Sequence, residues 1–126
     1  VSRNPVAGLS LSTEGFQCKG AADGTLVMSG TLQMRAPSET LSPFFKQIHE
    51  AALMARLGEL KVDVTRLVHV NSSSIFLFID WARWIAAADG RYTLHFVIRP
   101  GVSWQHLTLP TMQRICVGSI RVSTVA

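Results

Sequence analysis

The strongest constraint on the fold is one continuous stretch, residues 60–90, in which a strand pattern runs through a short polar step straight into a helix pattern. Leu60, Val62 and Val64 alternate with Lys61, Asp63 and Thr65, and the apolar set resumes at Leu67, Val68 and Val70 with the β-branched content of a strand. Asn71-Ser72-Ser73-Ser74 interrupts it. Residues 75–88 then have the length and composition of a helix that closes at Asp89-Gly90, and residues 92–98 form a second strongly apolar strand, stopped by Pro100-Gly101. Strand, helix and strand in that order make a crossover between parallel neighbours, which in proteins is nearly always right-handed.

The rest of the chain extends the same theme. Residues 16–21 and 25–34 flank Asp23-Gly24, a dipeptide suited to a tight turn, so an antiparallel hairpin opens the domain. Leu26, Met28, Leu32 and Met34 give the second hairpin strand an apolar face, with Gly30 marking a bulge, and Pro37-Ser38 stops it. Ser42 and Pro43 read as N-cap and first-turn proline, with Ser38 and Glu39 as an earlier alternative start; Phe44, Phe45, Ile48, Ala52 and Leu53 then recur at helical spacing up to Gly58. A short helix is expected over 109–116 with Pro110 in its first turn, and a last strand over 119–125. The resulting order, β-β-α-β-α-β-α-β, predicts an α/β fold: a mixed, mainly parallel sheet of four or five strands with helices packed against it. Residues 1–126 form a single domain, in which 1–12 is a loose lead-in that frames an extra short strand.

Composition narrows the function. Apolar residues make up 48% of the 126 and charged ones 16%, which excludes a disordered chain and points to a densely buried sheet or a sticky surface. The apolar run 75–79 is broken by Asp80, so no membrane span is expected. The chain starts at Val1, reads as a trimmed or processed start without a secretion signal, and is expected in the cytoplasm. Cys18 and Cys116 form no CxxC pair and are expected as packed free thiols. A net charge of +4 raises nucleic acid as a partner, yet no two basic residues lie closer than five positions apart, so no linear basic patch forms. His49, His69, His95 and His106 show no metal-ligand spacing, and no GxGxxG, GxxxxGK[ST] or GxSxG is present. No catalytic group, metal or cofactor is expected, and the chain is read as a non-enzyme.

The serine step carries the remaining chemistry. Asn and Ser at a helix start accept hydrogen bonds from orphan amides, which is the structural role of this segment. The same geometry suits modification. A phosphorylated serine there gains about −1.5 to −2 charges beside amides and a dipole end that favour anions.

From Leu26-Val27-Met28-Ser29-Gly30-Thr31-Leu32 through residues 60–67 to Val70-Asn71-Ser72-Ser73-Ser74-Ile75, the chain resembles the STAS family of bacterial anti-sigma factor antagonists and related domains, over roughly residues 16–125. The family's Asp-Ser-Ser-Gly step is written here with Asn71 in place of Asp and Ser74 in place of Gly. The resemblance implies that Ser72 is the phosphoacceptor, with Ser73 beside it and Asn71 and Ser74 completing a switch loop. It also implies the partners: an anti-sigma factor or serine kinase, and a PP2C-type phosphatase. A Cβ at residue 74 would narrow the approach of a kinase loop. Related STAS domains act by binding alone, as constitutive accessory subunits of transporters or signalling assemblies, and that is the alternative reading.

The helix after the step is the expected docking surface. Ile75, Phe76, Leu77, Phe78, Ile79, Trp81, Trp84 and Ile85 exceed what one core-facing stripe needs, and Ile75, Phe76, Phe78 and Trp81 are taken as partner-binding. The same surplus is compatible with a homodimer. Trp104, Gln105 and His106, placed in a loop, form a second, weaker contact site.

Overall fold

The computed structural model describes residues 6–13 and 15–125. The strands are β1 (Ser10–Thr13), β2 (Phe16–Gly20), β3 (Leu26–Leu32), β4 (Glu59–Val70), β5 (Thr93–Ile98) and β6 (Ile120–Thr124); the helices are α1 (Pro37–Met54), α2 (Ser72–Ala87) and α3 (Ser103–Ile115). They form one six-stranded sheet in sequential order, β1-β2-β3-β4-β5-β6. The hairpin strands pair antiparallel, and β3 to β6 run parallel through the three helices. The mainly parallel α/β sheet is as expected, with six strands rather than four or five. The difference is at the N-terminus: residues 10–12, read as lead-in, belong to β1, where Leu11 and Ser12 pair with Cys18 and Gln17.

Each parallel crossover steps one place in the same direction, so a right-handed connection puts its helix on the same side every time. The strands show the result. On β4, Leu60, Val62 and Val64 are buried while Glu59 and Lys61 are exposed; on β5, Leu94, Phe96 and Ile98 face the core. The opposite sheet face lies open to solvent. There His95 nevertheless becomes buried, because Glu59, Arg121 and Ser123 from the flanking strands close around it: its Nδ1 lies 3.1 Å from Glu59 Oε1 and its Nε2 2.6 Å from Ser123 Oγ.

Two helices start earlier than their prolines suggest. α1 begins at Pro37, whose fixed φ and missing N–H suit the first turn, and Pro43 sits inside it; α3 begins at Ser103, with Pro110 inside. An interior proline costs a hydrogen bond, but the turn before it is held by packing: Leu41 and Gln105 are fully buried. Trp104, Gln105 and His106 are therefore helical, not loop. At the other end of α1, the left-handed residue is Arg56, and Gly58 lies in the link to β4.

The core lies between the helices and one sheet face. Phe45 stacks on Trp81 at 4.7 Å and on Phe78 at 5.7 Å, and Phe78 meets Phe96 edge-on at 5.5 Å. A buried polar chain crosses it: Trp81 Nε1 donates to the Tyr92 hydroxyl at 2.8 Å, which lies 2.7 Å from His49 Nδ1. Since indole can only donate, the hydroxyl proton is free for His49 Nδ1, which accepts in the neutral ring. Cys18 and Cys116 are both free thiols, and burial pushes the Cys18 thiol up to about 12, so it packs as an inert apolar group.

Gly30 (φ +93°), expected as a bulge, borders a register shift whose extra residue, Val68, is on β4; a Cβ at Gly30 would fall on the Gly15 carbonyl oxygen, which accepts from Thr31 N–H at 2.7 Å. Gly30→Ala is expected to lower stability by at least about 1 kcal/mol. Tyr92→Phe, which leaves the buried Trp81 N–H and His49 Nδ1 unpaired, is expected to cost about 1–3 kcal/mol in urea titrations, with m unchanged. An unshifted midpoint would remove the polar chain from the account. Burial, and secondarily the charge of Lys46, hold the His49 pKa below its ordinary 6.5. The neutral folded ring then binds fewer protons than the unfolded one, so its contribution is full above about pH 6.5 and is lost as pH falls below it. Denaturation midpoints measured from pH 7.5 down to 5 should fall, with a shallower slope in His49→Gln.

Candidate functional site

The serine step lies where β4 turns into α2, at the carboxyl end of the parallel strands. Asn71 is the N-cap. Its Oδ1 accepts from Ser74 N–H at 3.0 Å, its Nδ2 donates to the Met34 carbonyl at 3.0 Å, and its own N–H donates to the Leu32 carbonyl at 2.9 Å. The side chain thus caps α2 with one end and ties the exit of β3 with the other. Aspartate could supply the first bond but not the second, because a carboxylate has no N–H.

Ser72, Ser73 and Ser74, the first three residues of α2, diverge sharply. Ser72 and Ser73 are exposed, whereas Ser74 is fully buried and its hydroxyl has no hydrogen-bond partner. The Ser74 Cβ therefore points into the protein and does not narrow an approach to Ser72 from outside, contrary to the expectation for a residue in the glycine position. The amides of Ser72 and Ser73 open the helix and have no intrahelical acceptor.

The four expected partner-binding residues separate by burial. Phe76, one turn beyond Ser72, is 63% exposed, and Ile75 is half-buried. Phe78 and Trp81 have no accessible surface and belong to the core. They cannot meet a partner while the domain is folded, and that part of the expected docking surface is corrected. The reason is the position of α2, which packs against both α1 and the sheet, so that more than one stripe of its perimeter is covered. Ile79 and Trp84 are half-buried as well, with Lys46 Nζ 4.6 Å above the Trp84 ring. The Asp80–Arg83 pair, 3.9 Å apart on the exposed helix face, contributes little.

The second contact segment is mainly structural. β4 pairs with β5 only up to Asp63, whose Oδ1 takes the Thr65 N–H and Oγ1 at 2.9 and 2.7 Å, a local bond that competes with the ladder. Beyond it, α3 supplies the missing donors. Gln105 Nε2 donates to the Val64 and Leu67 carbonyls at 2.6 and 3.1 Å, and Trp104 Nε1 to Leu67 at 2.7 Å. Gln105 Oε1 accepts from Arg99 N–H at 2.9 Å, so a single amide side chain stands in for a strand neighbour.

Ser123, His95 and Glu59 invite comparison with a catalytic serine relay. Arg121 Nη2, a donor in every protonation state, stands 3.1 Å from the same His95 Nδ1 that an orienting carboxylate needs. Glu59 Oε1 stands at the same 3.1 Å from that nitrogen, so the tautomer of His95 sets whether Nδ1 donates to Glu59 or accepts from Arg121.

Asn71→Ala is expected to cost about 0.5–2 kcal/mol, and Asn71→Asp less, since the cap acceptor survives. Equal losses in thermal melts would mean that the Met34 bond, not the cap, matters. Phe78→Ala should cost about 3–5 kcal/mol, whereas Phe76→Ala should leave stability within about 0.5 kcal/mol of the parent.

No family model matches the chain, and no curated protein matches it in sequence. Among solved structures, its fold is similar to the activator SiaC in the crystal structure of the diguanylate cyclase SiaD in complex with SiaC from Pseudomonas aeruginosa, with a TM-score of 0.62, 19% identity, and coverage of 93% of this chain and 99% of that one. At that identity the likeness establishes the architecture, a mostly parallel six-stranded α/β sheet with three helices, consistent with a STAS-like fold.

Proposed function

We propose that this chain is a non-enzymatic regulatory module that binds a partner protein through the surface around Ser72 and Phe76, and that phosphorylation of Ser72 switches that binding. The observation that carries the reading is the exposure of Ser72 and Ser73 at the start of α2, beside exposed Phe76, with the neighbouring Ser74 turned inward. A phosphate on Ser72 would find unpartnered amides and the positive end of α2 at hand, so the modified domain stays folded while its surface gains negative charge. Asn71 adds no negative charge beside that phosphate.

The similar fold of SiaC, an activator found bound to a diguanylate cyclase, supports the partner-binding role and widens the class of partner. The anti-sigma factor implied by the family resemblance is one form of it; a signalling enzyme is another. A kinase and a PP2C-type phosphatase would set and remove the mark. Among the described residues no helix is long and apolar enough to cross a membrane, and the proposed site of action is the cytoplasm.

A second reading, a constitutive accessory domain that never carries phosphate, is favoured by the completeness of the Asn71 cap, which needs no added group. Intact-mass and peptide mapping of the chain isolated from its native cells separates the two. The switch predicts a species heavier by about 80 Da, the mass of one phosphoryl group, on Ser72 and absent from Ser72→Ala. Phosphate missing under every growth condition favours the constitutive domain. In pull-downs with a co-isolated partner, Ser72→Asp and Phe76→Asp should each weaken binding about tenfold, or 1.4 kcal/mol, with Ser72→Ala unchanged.

A further inference from the structure

The carboxyl end of the sheet is electropositive for a reason that the linear sequence hides. Arg35 follows β3, Arg66 and His69 lie in the last part of β4, Arg99 follows β5 and His106 lies in the first turns of α3; all five are exposed. Successive parallel strands deliver to one end three guanidinium cations, Arg35, Arg66 and Arg99, that lie far apart in sequence, with the His69 and His106 imidazoles beside them. Glu39 opposes them in the first turn of α1; at the other end of the strands Asp23, Glu59 and Asp89 are accompanied by Lys19, Lys61, Arg91 and Arg121. All three helices also begin at this end, so their positive dipole ends add to the same field.

Within this field lies an apolar groove of about 600 Å³ between the end of β4 and the start of α3, lined among others by Val68, His69, Arg99, Val102, Trp104 and Leu107. Val68 is 58% and Leu107 73% exposed, although both are aliphatic. The groove exists because β4 leaves β5 after Asp63, and α3 completes only the Val64 and Leu67 carbonyls. Val68 is the extra residue of the register shift between the Gly30 and Thr31 pairings, which turns its side chain out of the alternation.

We propose that this groove docks an acidic segment of a partner protein that carries apolar anchors. Val68, Leu107 and the Trp104 ring take the anchors, and the Arg99 guanidinium meets the carboxylates, with His69 beside it as a hydrogen-bonding ring. Charge complementarity selects an acidic segment, and the exposed aliphatic walls of Val68 and Leu107 select apolar side chains of a peptide over nucleic acid. One part of the proposal rests on Ser72 as a switch: phosphate three residues beyond His69 in the chain carries the same sign as the incoming segment and repels it.

The test is titration of the isotope-labelled chain with a short synthetic peptide alternating Glu with Leu and Phe. A peptide with Lys in place of Glu and a single-stranded oligonucleotide serve as comparisons. The acidic peptide is expected to shift the backbone signals of Val68, His69, Trp104 and Leu107, and to bind more weakly as salt rises. Arg99→Glu and Leu107→Asp, both changes of exposed side chains, should each weaken it about tenfold, with unchanged melting curves showing that the fold is kept. Binding that is indifferent to both substitutions, shifts that map elsewhere, or tighter binding of the Lys peptide or the oligonucleotide would overturn the docking site. Ser72→Asp should weaken the peptide several-fold; if it does not while the groove variants do, the docking site stands and the switch at Ser72 fails.

Discussion

Burial of α2 against one face of a one-sided sheet is the constraint from which the rest of the molecule follows. Because β3 to β6 are laid down in sequential order, their helices share a single face, and α2 packs there against α1 and β5. Phe78 and Trp81 pack into Phe45 and Phe96, and the Trp81 indole is held by Tyr92. A helix in that position has little free perimeter. What remains outside is its first turn and a narrow stripe through Phe76.

That burial also sets the chemistry of the serine step. With α2 fixed by its aromatic side and β3 fixed in the sheet, Asn71 can bridge them, holding the Ser74 amide with one end of its side chain and the Met34 carbonyl with the other. The serines then have no choice of direction: successive helical residues are about 100° apart, so turning Ser74 inward turns Ser72 and Ser73 out. The same framework opens the edge of β4, where Asp63 diverts the strand and Gln105 replaces the missing neighbour.

Much of the fold was legible because alternation and strand–helix order are local properties. The Asp23-Gly24 hairpin and the long strand β4 appear as read; the helix expected over 75–88 starts three residues earlier, at Ser72, and takes the serines into its first turn. Pro43 and Pro110 both look like first-turn residues: α1 instead follows the earlier alternative at Ser38 and Glu39 to within one residue, α3 starts six residues before its expected start, and the burial of Leu41 and Gln105 shows why a preceding turn survives. β1 was blurred by its shortness; Ser10–Thr13 has too few residues to declare a period. The role of Gln105 had no signal at all, since a glutamine that completes a strand edge is indistinguishable in sequence from one facing water.

The sequence by itself determined the order of elements, the mainly parallel sheet and the position of the serine step at a helix start, because these depend on side-chain period and capping within a few residues. Only the tertiary structure decided which of the apolar residues after that step are core and which are surface. Apolar content says that a side chain prefers to leave water, but not which neighbour will cover it. For Phe78 and Trp81 the neighbours are Phe45 and Phe96, brought from other elements; for Phe76, Val68 and Leu107 no such cover arrives within the described residues. The gathering of Arg35, Arg66 and Arg99 at one end of the sheet was likewise decided in three dimensions, by strands that start and stop in register.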